Sequence, residues 1–178
     1  MINPQESVDH SRKDDYRTIE QTMEKLSSGT RRLAAQLTTT ASFNSLWNVL
    51  TDYDRLNLYI PNLLSSKKIY QKNNNVHLNQ VGAQDFLGMK FSAEVTINLF
   101  EEKELGLLKF NLIKGDFRKF EGSWKIQKIK DTSKNSLIYD LTVQGCQWMP
   151  IGMIEKRLKK DLSENLIAVD RQAKASIK

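Results

Sequence analysis

General acid–base work needs a positioned histidine, carboxylate, lysine or tyrosine, so the ionisable residues are placed first. The chain has two histidines, His10 and His77, and one cysteine, Cys146. His10 lies in a polar N-terminal stretch. His77 stands between Val76 and Leu78 on the opposite face of an alternating segment, which points it outward. Glu94, Glu121 and Asp140 occupy polar positions of alternating segments and are expected in solvent, with Asp85 and Asp116 as the other carboxylates considered. Asp52 reads as a helix cap. No Ser–His–Asp or Cys–His arrangement is visible, and Cys146 has no histidine near it in sequence. The catalytic residues are therefore unknown, and the balance leans away from an enzyme. Without Cys or His clusters no metal site is expected, and no cofactor. Gly82, Gly88, Gly106, Gly115 and Gly122 are spaced as bend and strand glycines rather than as a phosphate-cradling loop.

Length and composition narrow the classes further. The chain has 178 residues, 39% of them apolar and 27% charged, which suits a single globular domain with a real core. No apolar stretch approaches the roughly 18–20 residues of a spanning helix. The opening MINPQESVDHSRKDD has no apolar run of a secretory signal, so a cytoplasmic protein is expected, at most peripheral to a membrane. The net charge is +6, but the basic residues are scattered, as at Arg31-Arg32, Lys67-Lys68 and Lys156 to Lys160. That pattern reads as a solvated surface. No strand face interleaves aromatic and basic residues as an RNA-binding sheet does, so nucleic acid is not an expected partner.

The elements that would position any site follow from periodicity. Residues 1–15 are polar and without period, a disordered tail. In 16–30, Tyr16, Ile19, Met23 and Leu26 recur at three- and four-residue steps, predicting a helical arm on the domain. The domain proper spans 31–178. It begins with a strand from Arg32 to Thr40, then two short helices: one capped by Ser42 with Phe43, Leu46, Trp47 and Leu50 apolar, one from Tyr53 to Tyr59, stopped by Pro61. Strands follow at Leu63 to Gln71 and Val76 to Ala83, with Asn73-Asn74-Asn75 a hairpin signal between them. Gly88 marks a bend. From Met89 to Leu99, apolar Met89, Phe91, Ala93, Val95, Ile97 and Leu99 alternate with polar residues. Further strands run at Leu107 to Lys114, from Phe120 to Ile126 and from Leu137 to Val143. After Pro150, the steps Ile151, Ile154, Leu158, Leu162, Leu166, Val169 and Ala173 predict one long helix to about Ile177, with Lys156, Arg157, Lys159, Lys160 and Asp161 mostly off the stripe. The fold class is α+β: an antiparallel sheet of about seven strands whose concave face is the only large surface that can bury that stripe.

Three segments carry a resemblance. They are Trp47-Asn48-Val49-Leu50-Thr51-Asp52-Tyr53 continuing to Ile60-Pro61-Asn62; Phe120-Glu121-Gly122-Ser123-Trp124; and Pro150-Ile151-Gly152-Met153-Ile154-Glu155 followed by Asn165-Leu166-Ile167-Ala168-Val169. Their order and spacing resemble the polyketide cyclase/dehydrase group of the helix-grip (START-like, SRPBCC) superfamily, related to the coenzyme Q-binding proteins. The likeness covers about residues 31–176. It implies a curved sheet gripping the long helix, a pocket between them, and a cyanobacterial or plastid source. It implies no reaction, because fold does not fix function.

A pocket of that kind is mostly apolar with a few placed polar groups. Its expected walls are Phe91, Val95, Phe110, Trp124 and Tyr139 from the sheet and Ile154, Leu158, Leu162 and Leu166 from the helix. Each is either pocket wall or ordinary core. Asn165 lies at the edge of the helix stripe, where its amide bonds either to the sheet or to a ligand. Tyr139, apolar with a polar tip, has the same two readings. Trp148 and Met149 are expected at the pocket mouth or tucked on the surface. Trp47 is expected to pack under the sheet end. The leading expectation is binding or transport of a hydrophobic small molecule: a lipid, quinone, isoprenoid or pigment. The alternative is an aromatase/cyclase-like dehydratase. A third reading is transient contact of the basic helix face with a membrane surface or a partner. The oligomeric state is not fixed by these patterns.

Overall fold

The computed structural model describes residues 19–86, 89–146 and 151–176, side chains excepted at 84–89 and 151–154. The tail 1–15, Tyr16, the bend at Gly88 and the mouth residues Trp148 and Met149 lie outside the described residues, as does the Ile154 side chain. Among the described residues, eight strands form one sheet. They are β1 (Ile19–Lys25), β2 (Arg31–Thr39), β3 (Leu63–Lys72), β4 (Asn75–Phe86), β5 (Met89–Glu102), β6 (Leu107–Gly115), β7 (Lys119–Lys128) and β8 (Asn135–Gln144). Between β2 and β3 lie α1 (Phe43–Thr51) and a 3-10 helix, Tyr53–Leu58; α2 (Ile151–Ala175) comes after β8.

The spatial order is β1-β2-β8-β7-β6-β5-β4-β3, antiparallel throughout. Strands β3 to β8 are a meander of hairpins, and β8 then pairs with β2. The connection through α1 and the 3-10 helix carries the chain from β2 to the far edge of the sheet. Curvature is needed for α2 to pack on β2, β8, α1 and β1 at once. Alternation decides which face is buried. In β8, Leu137, Tyr139, Leu141 and Val143 are inside; in β2, Leu33, Ala35 and Leu37 are; in β5, Val95, Ile97 and Leu99 are. The α2 stripe meets them with Leu162, Leu166, Val169 and Ala173, all buried. Each large side chain of this kind contributes about 1.5–3 kcal/mol by leaving water.

The expected helical arm is instead an edge strand. Residues 19–25 pair with β2 in the register Ile19↔Leu37 to Lys25↔Arg31. The reason is arithmetic. Ile19 and Met23 are four apart, and four residues return a side chain to the same face in a strand as well as in a helix. Both are half-buried, whereas Leu26, needed for a helical stripe, is exposed. The sheet therefore has eight strands rather than about seven.

Local signals act as expected in most other places. Ser42 caps α1 by accepting from Ser45 N at 3.1 Å. Asn73 takes φ 52° in the tight β3–β4 turn. Asp52 differs: it ends α1 and precedes the 3-10 helix, but its side chain caps neither and instead pairs with Arg55 Nη1 at 3.3 Å. The second short helix is a 3-10 helix; the Tyr59 hydroxyl donates to the Val49 carbonyl at 2.6 Å and holds it to α1.

Polar contacts fix α2 along its length. Arg31 Nε donates to Glu155 Oε2 at 2.9 Å, and Lys25 stands 3.9 Å from Oε1. The Arg31 bond is the first cause holding the Glu155 carboxyl below its usual range. From β1, Gln21 Nε2 donates to the Lys159 carbonyl at 2.5 Å. Near the far end, buried Asp170 accepts from the Thr39 hydroxyl and from Lys174 Nζ at 2.7 Å.

Candidate ligand-binding site

Between the concave face of the sheet and α2 lies a cavity of about 330 Å³. That is at the small end of the range of roughly 300–1,000 Å³ for small-molecule sites. Its sheet wall includes Phe91, Val95, Phe110, Trp124 and Tyr139; its helix wall includes Leu158, Leu162 and Asn165. Of the residues expected there with described side chains, Leu166 alone is elsewhere. It has 0% exposure and does not line the cavity. It belongs to the buried core cluster instead.

Register explains the aromatic side of the cavity. Trp124 of β7 is the direct partner of Tyr139 of β8, and Phe110 of β6 is the partner of Gly122. The indole lies flat on the phenol, ring centroids 4.0 Å apart with 9° between planes. Phe110, Phe117 and Phe120 extend the wall with centroid separations of 5.6 Å (110–120) and 5.4 Å (117–120). Gly122 is required among them. A Cβ there would collide with the Asp140 carbonyl oxygen and stand 2.9 Å from Phe110 Cζ. The aliphatic part of the lining includes Leu50, Leu56, Ile60, Leu78, Ile97 and Leu99. Tyr53 also lines the cavity and donates to Glu101 Oε1 at 2.5 Å. Trp47, on the buried side of α1, stacks near Phe43 with centroids 6.2 Å apart and does not line the cavity.

A polar group stands on the helix side. Asp161, expected off the stripe, lines the cavity. Leu158, Asp161 and Asn165 form a row at steps of three and four beside the core stripe, so the carboxylate turns inward with them. Arg157 Nε lies 3.1 Å from Asp161 Oδ1 as an ion pair, not aligned to donate to it. Asn62 Nδ2 donates to the same oxygen at 3.3 Å. Asn62 ends the Ile60-Pro61-Asn62 turn with φ 62°, and its carbonyl accepts from Ala83 N at 2.9 Å. The turn is thus tied to β4 on one side and to α2 on the other. Asn165 follows Asp161 by one helical turn; its Oδ1 is buried and accepts no hydrogen bond. Burial, and secondarily the Asp161 charge, push the Tyr139 phenol far above its ordinary value, so it stays protonated. Sequence reasoning missed Asp161, Asn62 and Phe117. The 158–161–165 row was the available signal for the first; the other two sit in turns, where periodicity is silent.

His77 is half-buried with its ring 4.7 Å from that of Tyr70, and it does not line the cavity. Among the described residues, no group of three or more His, Cys, Asp or Glu is placed to hold a metal ion. No described helix is long and apolar enough to cross a membrane.

Solved structures share this fold at low identity. A STAR-related lipid transfer protein from Xanthomonas axonopodis superposes with a TM-score of 0.74 at 11% identity, over 90% of this chain and 96% of that one. The Zhui aromatase/cyclase from a Streptomyces species gives 0.72 at 13% identity, over 84% and 96%. Human StAR-related lipid transfer protein 5 gives 0.72 at 6% identity, over 91% and 85%. No curated protein matches the chain by sequence. The family model described as polyketide cyclase / dehydrase and lipid transport matches residues 39–170, which takes in α1, β3 to β8 and most of α2, and the chain belongs to that family.

Proposed function

We propose that this protein binds a hydrophobic small molecule in the cavity between its sheet and α2, with Phe91, Val95, Phe110, Trp124, Tyr139 and Leu158 among the residues that touch it. The observation that carries the reading is the cavity itself: about 330 Å³, walled by aromatic and aliphatic side chains with a polar group on one side. Removing apolar ligand surface from water yields about 25 cal/mol per Å², and Asp161, Asn165 and Tyr139 would set orientation. Relatives of this fold named for lipid transfer support it. The test is binding of the uncharged dye Nile red, followed by its fluorescence. Wild type is expected to bind it, and Ala93→Trp, which fills the cavity from the sheet side, to lose it at similar thermal stability. Equal binding by both proteins would place the dye elsewhere and contradict the reading.

A second reading is an aromatase/cyclase-like reaction on a polyketide-type substrate. One observation favours it: Tyr139, a neutral phenol, and Asp161, a carboxylate, share the cavity, and such a pair can pass a proton. Turnover of a poly-β-keto substrate that falls to background in both Tyr139→Phe and Asp161→Asn would support it; turnover indifferent to both would remove it. Transient contact with a membrane through the basic face of α2 is less favoured. Lys160 and Lys174 are paired with Glu164 and Asp170 at 3.4 and 2.7 Å, and such pairing leaves less net charge to attract anionic lipid.

A further inference from the structure

The charge on the cavity lining limits which head group it tolerates. Among the described residues that line it there is no Lys, Arg or His, and the one charged side chain is Asp161. Arg157 reaches Asp161 from outside the lining. A fatty-acid carboxylate or a phosphate entering this space would lose water with no cation among the described lining residues, and the nearest guanidinium, Arg157, is already paired with Asp161. An uncharged head group meets neither obstacle.

Asn165 adds a second constraint. It lines the same cavity, one helical turn beyond Asp161, and its buried Oδ1 accepts no hydrogen bond. A carboxamide offers an acceptor oxygen and a two-donor nitrogen. A hydroxyl, donor and acceptor at once, can match either end, whereas a ketone can meet only the nitrogen. Size adds a third. A cavity of about 330 Å³ takes one compact ring system or one short chain, not two acyl chains.

We propose that the ligand is a compact, uncharged hydrophobe bearing a hydroxyl group, with that hydroxyl at Asn165 and its body against the Trp124–Tyr139 wall. This rests on the cavity-binding reading above and deepens it.

The experiment is calorimetric titration of the full chain at neutral pH with three probes of one skeleton: 2-naphthol, naphthalene and 2-naphthoate. The naphthol is expected to bind about tenfold tighter than naphthalene, and the naphthoate at least about tenfold weaker than the naphthol; tenfold corresponds to about 1.4 kcal/mol. In Asn165→Leu the naphthol-to-naphthalene ratio is expected to fall to about one with naphthalene binding retained. Naphthoate binding as tightly as naphthol, or a naphthol advantage that survives Asn165→Leu, overturns the inference. Naphthalene binding without any naphthol preference overturns it and leaves the cavity reading standing. No binding by any of the three overturns both. Should Asn165→Leu fail to fold, the wild-type ranking decides the matter alone.

Discussion

The indole of Trp124 lies flat on the phenol of Tyr139, centroids 4.0 Å apart, on adjacent strands in direct register. Both rings line the cavity, so a bound ligand changes the surroundings of an intrinsic fluorophore. Titration with naphthalene is expected to alter tryptophan emission in wild type, and the change is expected to vanish in Trp124→Phe while calorimetry still shows binding. An unchanged optical response in Trp124→Phe would mean the ligand sits elsewhere.

Gly122 lies between Phe110 of β6 and Leu141 of β8 in the register of the sheet. Because a Cβ there would collide first with the Asp140 backbone on β8, which cannot turn aside as the Phe110 ring can, Gly122→Ala must push β7 from its neighbour. The expected cost is above about 2 kcal/mol, in the range of buried overpacking, read as a lower urea midpoint. A midpoint within error of wild type would show that the strands separate at little cost.

Most of the architecture was legible because alternation is a strong signal wherever one sheet face is buried. The run from Met89 to Leu99 and the steps from Leu158 to Ala173 could each be read one way only. Ile19 and Met23 could be read two ways, since a spacing of four satisfies both helix and strand, and pairing with Leu37 and Leu33 settles it. The cavity wall was legible for the same reason as the core: Phe91, Val95, Phe110, Trp124 and Tyr139 occupy inward positions. What separates wall from core is not local. Leu162 and Leu166 are equally apolar and equally buried, yet the first borders the cavity and the second does not. Asp161 escaped because a charged residue beside a basic run looks solvated until the rotation of α2 against the sheet is fixed.

Leu166→Ala therefore separates stability from binding. With 0% exposure and no place on the cavity lining, it is expected to cost about 2–5 kcal/mol on denaturant unfolding while the folded fraction binds Nile red with wild-type affinity. A large loss of affinity at full folding would place Leu166 in the site.

Alkaline titration reads the buried phenols. Burial is the main cause raising Tyr53, Tyr59 and Tyr139 above the ordinary value of 10, with the Glu101 hydrogen bond adding at Tyr53 and the Asp161 charge at Tyr139. A raised folded value means that the folded state keeps these protons. The stability they contribute is whole below pH 10 and is lost as pH rises above it. Phenolate absorbance of the folded protein is expected to lag behind that of the urea-unfolded chain. Coincident curves would show the phenols in contact with water.

The most direct test is native mass spectrometry of the protein purified from its own cells, with denaturing extraction of whatever it carries. A stoichiometric hydrophobic adduct on wild type, lost from Ala93→Trp, is the predicted result. A clean ligand-free mass, or an adduct that Ala93→Trp carries equally, would contradict the claim that this cavity is a binding site.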